Sequence, residues 1–195
     1  MNVSIKIIIT KEYKLFIQID SKYEEEIIPC ISFNGNFISV GEENENSIHF
    51  MKEWFDNPNE YKMYSVKFQG KEYQLLPEVL FAIIIYEFKQ RIEKEYIIEN
   101  TILEIPTENK KVSQRIKIPL DAIELRGIVL DENKEINDFD YTEQGEILEE
   151  ILEKIETIEK QKKMIERAKE INPLVEDKLK EINFNYENII QDDNF

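Results

Sequence analysis

Apolar and polar residues alternate along much of the first half of the chain, with Ile, Val, Phe and Tyr at many of the apolar positions. This two-residue period is typical of β-strands that bury one face. Three such runs open the chain, at residues 3–9, 14–19 and 27–40. The third run contains Asn34-Gly35-Asn36, a sequence that favours a tight turn between two strands. We therefore expect an antiparallel meander at the start of the chain.

A period of three to four residues replaces the alternation in two later segments and predicts helices there. The first is a short amphipathic helix at residues 47–55. The second, at residues 78–96, is the main helix, and Pro77 stands at the first-turn position that proline favours. The remaining strands of this region are predicted at residues 64–68, 72–75, 101–105 and 127–130.

The composition changes at Asp131, where a short acidic segment with few apolar residues predicts a linker. From Glu146 the helical period returns and continues to Ile171, and Pro173 ends it. A second helical run at residues 174–189 predicts a hairpin of two helices. The predicted organisation is therefore a lobe, an acidic linker and a helical hairpin, at residues 1–130, 131–145 and 146–195.

The net charge of the chain disfavours two classes of binding partner. Its 195 residues include 41 acidic and 25 basic side chains, which gives a formal charge of −16. Such a surface repels the phosphates of nucleic acids and anionic lipid headgroups, so we expect neither as a partner. The longest apolar run, residues 79–86, is too short to cross a membrane. A single cysteine and no recognisable signal sequence predict a cytoplasmic protein.

Four short motifs occur in order along the first 130 residues. They are Ile27-Ile28-Pro29-Cys30-Ile31-Ser32-Phe33, Glu45-Asn46-Ser47-Ile48, Phe68-Gln69-Gly70-Lys71 with Leu76-Pro77-Glu78, and Thr101-Ile102-Leu103-Glu104-Ile105-Pro106 with Ser113-Gln114-Arg115. In their order and spacing they resemble the first lobe of the ATPase domain of the heat-shock protein 70 family. The resemblance implies an α/β fold: a ribonuclease H-like or actin-like ATPase half-domain, with a mixed sheet and flanking helices, followed here by a C-terminal α-helical hairpin.

The chain departs from that family at the phosphate-binding loop. Where the family has an aspartate, a glycine and hydroxyl residues in a turn, this sequence has Ile8, Thr10 and Glu12. By this resemblance, Ile8 replaces the carboxylate that orders magnesium, and Thr10 replaces the glycine that lets a phosphate approach closely. Glu12 replaces a hydroxyl residue that binds phosphate. Lys52 matches the family lysine that reaches the γ-phosphate, although a solvated helix lysine is the simpler interpretation. The second lobe of the family is also expected to be missing.

We therefore expect a non-enzymatic binding module without a cofactor, whose partner is a protein such as a chaperone or a client complex. Pro106 and Arg115 match family positions that couple nucleotide state to a partner surface, and the resemblance implies a partner-binding role for them. Their ordinary roles would be a strand stop and a surface cation. Two alternatives remain open: a second polypeptide could complete an ATP site, or the chain could be a structural subunit that dimerises through its tail.

Three further features of the sequence bear on function. Cys30 lies among apolar residues, which indicates a buried structural cysteine. His49 is the only histidine, so no histidine pair or catalytic triad can form within the chain. The resemblance also leaves an apolar groove on the truncated lobe, and we expect the first tail helix to dock there, with a projecting coiled-coil arm as the alternative.

Overall fold

The computed structural model describes residues 1–20, 23–105, 112, 115–116, 120–123, 125 and 140–171. The chain divides into two compact units, Met1–Glu150 and Ile151–Phe195. The first unit is mixed α/β, which confirms the fold class at that level. The strand predicted at residues 127–130 and the second tail helix lie outside the described residues. Within the described ranges, no helix combines the length and the apolar character needed to cross a membrane.

The largest sheet within the described residues consists of β1 (Asn2–Ile9), β2 (Leu15–Ile19), β3 (Tyr23–Ile27) and β9 (Ile97–Glu104), in the order β3-β2-β1-β9. Strands β1, β2 and β3 form an antiparallel meander, of which the first two match the predicted runs 3–9 and 14–19. The third strand was not predicted, and most of the predicted third run, residues 27–40, forms a hairpin in a separate sheet instead. Strand β9 pairs parallel with β1. The buried residues of β1 are at every second position, namely Val3, Ile5, Ile7 and Ile9. The alternation in the sequence therefore fixes which face of this strand is in the core.

The remaining strands form two small antiparallel sheets. Their bounds are β4 (Cys30–Asn34), β5 (Phe37–Val40), β6 (Ile48–His49), β7 (Tyr64–Phe68) and β8 (Lys71–Leu75). The first sheet has the order β5-β4-β6, and the second is the hairpin of β7 and β8. Gly35 and Gly70 occupy the two hairpin turns at φ values of 62° and 76°, a region that glycine enters without steric cost.

Helices α1 (Met51–Asp56) and α2 (Pro77–Glu93) lie wholly within the first unit. Helix α1 begins later than predicted because Ile48 and His49 pair with β4 instead. Helix α2 contacts β4, β8 and β9. Most of its residues are buried on every side, whereas the sequence predicted a single apolar stripe. The helix is therefore central to the core.

The long helix α3 spans Thr142–Ile171 and begins four residues before the predicted start, inside the predicted linker. Its first two and a half turns belong to the unit Met1–Glu150, where Gln144 and Leu148 are buried. The carboxylate of Asp140 accepts hydrogen bonds from the amide and hydroxyl of Thr142 and so stabilises the start of the helix. The helix then continues through the second unit to its end.

Candidate functional site

The turn between β1 and β2 occupies the place where the resemblance puts a phosphate-binding loop. Four of its amides donate hydrogen bonds within the turn. The amides of Glu12 and Lys14 donate to the hydroxyl of Thr10 at 3.2 and 3.3 Å. The amide of Tyr13 donates to the Thr10 carbonyl, and that of Thr10 donates to the Lys14 carbonyl, both at 2.9 Å. Phosphate loops present free amides to the anion, and these four are already occupied.

Tyr13 anchors this turn to helix α1. Its backbone has a φ of 62°, in the left-handed region, and its hydroxyl donates a hydrogen bond to the carboxylate of Asp56. Its ring also meets Phe55 edge to face, with centroids 6.1 Å apart. The hydrogen bond to Asp56 raises the pKa of Tyr13 above its ordinary value. A tyrosine thus ties the turn to the helix.

The turn carries charges of both signs. Lys11 and Glu12 lie in it, and Asp56 is bound to it through Tyr13. Two carboxylates and a lysine therefore lie where the resemblance puts a phosphate site. Lys52, the retained match to the family's ATP site, is exposed on α1. An exposed lysine without a cradle of amides gives a phosphate little binding energy. The arrangement can therefore hold two segments together, and it is poorly suited to phosphate chemistry.

A second polar cluster is buried where helix α2 begins. Glu78 accepts hydrogen bonds from Nε of Arg115 and, at 2.9 Å, from the hydroxyl of Tyr141. Nη1 of Arg115 also donates to the carbonyls of Pro58 and Glu60 at 2.8 and 3.0 Å. Four separate parts of the unit therefore meet at this ion pair.

Aromatic rings surround the Arg115 guanidinium. It lies 4.6 Å from the ring centroid of Tyr61 and 5.8 Å from that of Trp54. Such contacts stabilise a cation that has lost its water. Burial lowers the pKa of Arg115, but the hydrogen bond and charge of Glu78 outweigh that effect and raise it overall. Burial, followed by the charge of Glu78, also raises the pKa of Tyr141.

The position of Arg115 corrects one interpretation of the sequence. Arg115 is only 2% exposed, so the description of it as a surface cation was wrong. The sequence held one clue: Glu78 stands inside the otherwise apolar run 75–86, and a buried carboxylate requires a cation. Pro106, the other residue expected to bind a partner, lies outside the described residues. A partner-binding role for either residue stays a prediction, and Arg115 has no exposed guanidinium with which to fulfil it directly.

The start of helix α3 is attached to the same region. The side chain of Gln144 accepts a hydrogen bond from the Leu76 amide at 3.0 Å and donates one to the Gln74 carbonyl at 2.9 Å. One turn and a half later, Glu150 accepts hydrogen bonds from Lys71 at 2.6 Å and from the Tyr73 hydroxyl at 2.9 Å. The first turns of the tail helix, as far as Glu150, are thus part of the first unit, and docking of the helix in an apolar groove stays a prediction.

Cys30 and His49, the other two residues considered from the sequence, lie in surroundings that favour structural roles. Cys30 is fully buried, as predicted, and burial raises the pKa of its thiol, which disfavours a reactive thiolate. His49 is exposed, with its Nε2 3.5 Å from the Glu43 carboxylate. Among the residues that the structure describes, no three His, Cys, Asp or Glu side chains are grouped as metal ligands would be.

Comparison with known proteins does not identify a family for this chain. No protein-family model matches this chain, and no curated protein sequence matches it either.

Proposed function

We propose that this chain is a non-enzymatic binding module related to the first lobe of the heat-shock protein 70 ATPase domain. The observation that carries the proposal is the closed turn between β1 and β2. Thr10 occupies the amides that a phosphate would require, and Tyr13 ties the turn to Asp56. Because anion binding at such a loop depends on free amides and on a permissive glycine, this turn favours a structural role.

The ribonuclease H-like or actin-like form of the fold is part of the same proposal. It is supported by the sheet order β3-β2-β1-β9, in which an antiparallel meander precedes a parallel strand beside β1. Helix α2 stands between the meander and β9 in the chain, as a crossover connection requires. The resemblance in sequence and this strand order are independent of each other, because the motifs do not specify the pairing.

The proposed ligand is a protein, such as a chaperone or a client complex. A charge of −16 disfavours nucleic acids and anionic membranes, which leaves neutral or basic protein surfaces as the favoured class. The alternative, an ATP site completed by a second polypeptide, would require the Thr10 hydroxyl to release two amides and two nearby carboxylates to accept a polyphosphate. The geometry favours the binding module.

Isothermal titration with ATP and magnesium tests the absence of a nucleotide site. We expect no heat beyond dilution for the purified chain, and the same trace for the Lys52→Gln variant, which removes the only match to the family's ATP site. A micromolar dissociation constant that requires magnesium and is lost in Lys52→Gln would favour the alternative instead.

Affinity capture from a native lysate of the source cells tests the binding role. If the module acts without nucleotide, partners that bind no nucleotide themselves are recovered equally in the presence of ATP and of ADP. Recovery of such a partner that changes with the nucleotide would contradict the proposed function, because the module itself would then respond to nucleotide state.

A further inference from the structure

An open cleft of about 380 Å³ lies at the end of the large sheet where β1 begins. Its floor is apolar and consists of buried side chains from β1, β2 and α2, namely Val3, Ile17, Phe88 and Ile92. Cavities that bind small ligands or side chains have volumes of roughly 300 to 1,000 Å³, so the cleft is large enough to admit one or two apolar side chains. Met1, 78% exposed, extends the apolar surface to the rim.

The rim of this cleft is acidic. Asp20, Glu25 and Glu95 line it, with Arg91 as the one basic side chain among the described lining residues. Nη2 of Arg91 already contacts both carboxylate oxygens of Glu25, at 2.9 and 3.0 Å, so that pair is neutral overall. Asp20 is held in place by the Ser4 amide at 2.8 Å, and Glu95 is exposed. The cleft therefore favours an apolar group that carries positive charge beside it.

One segment of this acidic chain has that chemistry. Residues 160–167, which we call the basic segment, contain four cationic side chains and one acidic one. Within it, Met164 and Ile165 are 69% and 39% exposed, although both are apolar. Lys160 and Arg167 are four residues before and three residues after Met164, which places them about one helical turn away on the same face. A methionine is thus presented to solvent between cations.

We propose that the acidic cleft of one copy of this chain binds the basic segment of a second copy. In this arrangement Met164 enters the apolar floor, and the flexible thioether adapts to its shape. Lys163 and Arg167 then approach the carboxylates of Asp20 and Glu95. Lys160 and Lys162 already pair with Glu156 and Glu159 on their own helix, at 3.5 and 3.1 Å, which leaves Lys163 as the clearest cation to test.

This inference does not depend on the proposed function, because it concerns association between copies. The contact is small and partly electrostatic, so it should be weak and should weaken further at high ionic strength. The two surfaces also differ from each other, so the contact closes into a dimer only if it is exchanged reciprocally.

Sedimentation velocity of the full chain across a wide range of concentration tests the proposal. We expect the average mass to rise above that of one chain as concentration increases. Lys163→Glu and Glu95→Lys should each raise the dissociation constant by about threefold or more, and the variant that carries both should regain most of the lost affinity. Lys67→Glu, at an exposed position on β7 outside both surfaces, makes the same charge change as Lys163→Glu and should leave association unchanged apart from a general charge effect.

Three results would overturn the proposal. A mass that stays at one chain at every concentration would show that the two surfaces do not bind between copies, even if the segment reaches the cleft of its own chain. If Lys67→Glu and Lys163→Glu weakened association equally, the effect would come from the net charge of the chain and not from a specific contact of Lys163. Failure of the doubly substituted variant to recover affinity would show that residues 95 and 163 do not meet. Circular dichroism of each variant checks that the fold is intact.

Discussion

Two tyrosine hydroxyls in this protein donate to carboxylates in very different surroundings. Tyr141 donates to Glu78 beside the buried Arg115, and Tyr13 donates to Asp56 in the exposed turn between β1 and β2. Glu78 and Arg115 are 1% and 2% exposed, whereas Asp56 is exposed to solvent. Both contacts join a tyrosine hydroxyl to a carboxylate, and they differ in solvent exposure and in the ion pair that Glu78 makes with Arg115.

This difference in solvent exposure indicates which polar contacts should contribute most to the free energy of unfolding. At the buried cluster, water cannot replace a lost partner, so each deletion leaves a desolvated charge or hydroxyl. In the exposed turn, water can take the place of either partner. The turn where the resemblance puts a phosphate loop should therefore tolerate substitution with little effect on stability, whereas the buried cluster should not.

The largest effect is expected from Arg115→Met, which removes the cation that neutralises Glu78. The loss of a buried partner costs about 3 to 5 kcal/mol of unfolding free energy, because the remaining charge stays buried. Urea unfolding followed by the fluorescence of Trp54, the single tryptophan, measures this directly. The matched control is Arg91→Met: Arg91 also contacts a glutamate, but its side chain is 49% exposed, and we expect a loss below about 1 kcal/mol.

A double variant separates the ion pair from general packing damage. Glu78→Leu added to Arg115→Met removes both charges, and we expect it to be more stable than Arg115→Met alone. The buried atoms Glu78 Oε2 and Arg115 Nη2 have no hydrogen-bond partner among the described residues, which adds to the desolvation cost of the charged pair. Equal stability of Arg115→Met and Arg91→Met would contradict the contrast between buried and exposed polar groups.

A smaller effect is expected when the two tyrosines are changed alike. Tyr141→Phe should lower the unfolding free energy by about 1 to 2 kcal/mol, because the buried carboxylate of Glu78 loses a part-buried hydrogen bond. Tyr13→Phe should leave the urea midpoint within the error of the measurement, since its partner Asp56 is exposed. A larger loss for Tyr13→Phe than for Tyr141→Phe would reverse the comparison.

The smallest effect is expected at Tyr64, whose hydroxyl also donates to a carboxylate and is part-buried. Its hydroxyl donates to Glu53 at 3.1 Å, and burial followed by that hydrogen bond raises its pKa from 10 to about 12. A raised pKa in the folded state stabilises the fold below pH 10, and this contribution is lost as the pH rises through about 12. Stability should therefore fall less steeply between pH 10 and 12 in Tyr64→Phe than in the unchanged chain.

Absorbance at alkaline pH gives a direct readout for the same group. The chain has nine tyrosines, and the component that ionises late should diminish in Tyr64→Phe. Parallel stability curves for the two proteins above pH 10 would show that Tyr64 ionises normally in the folded state.

The sequence by itself determined several strands, the main helix and the mixed α/β class, because these depend on local periodicity. It did not predict β3, and it assigned Ile48 and His49 to a helix although they pair with β4. The alternation in residues 3–9 predicted β1, and the Gly35 and Gly70 turns predicted two hairpins that the structure contains. The pattern at residues 78–96 predicted the main helix, although not that most of its residues would be buried on every side. Local pattern also placed Cys30 in the core.

Only the tertiary structure decided which polar residues meet. Arg115 and Glu78 are 37 residues apart, and Tyr141 is 63 residues from Glu78, so no local pattern joins them. The capture of the Thr10 to Lys14 amides by a threonine hydroxyl likewise depends on how the turn closes. Hydrophobic periodicity records which face of an element is buried, whereas a buried ion pair or a cleft exists only where distant segments converge in space.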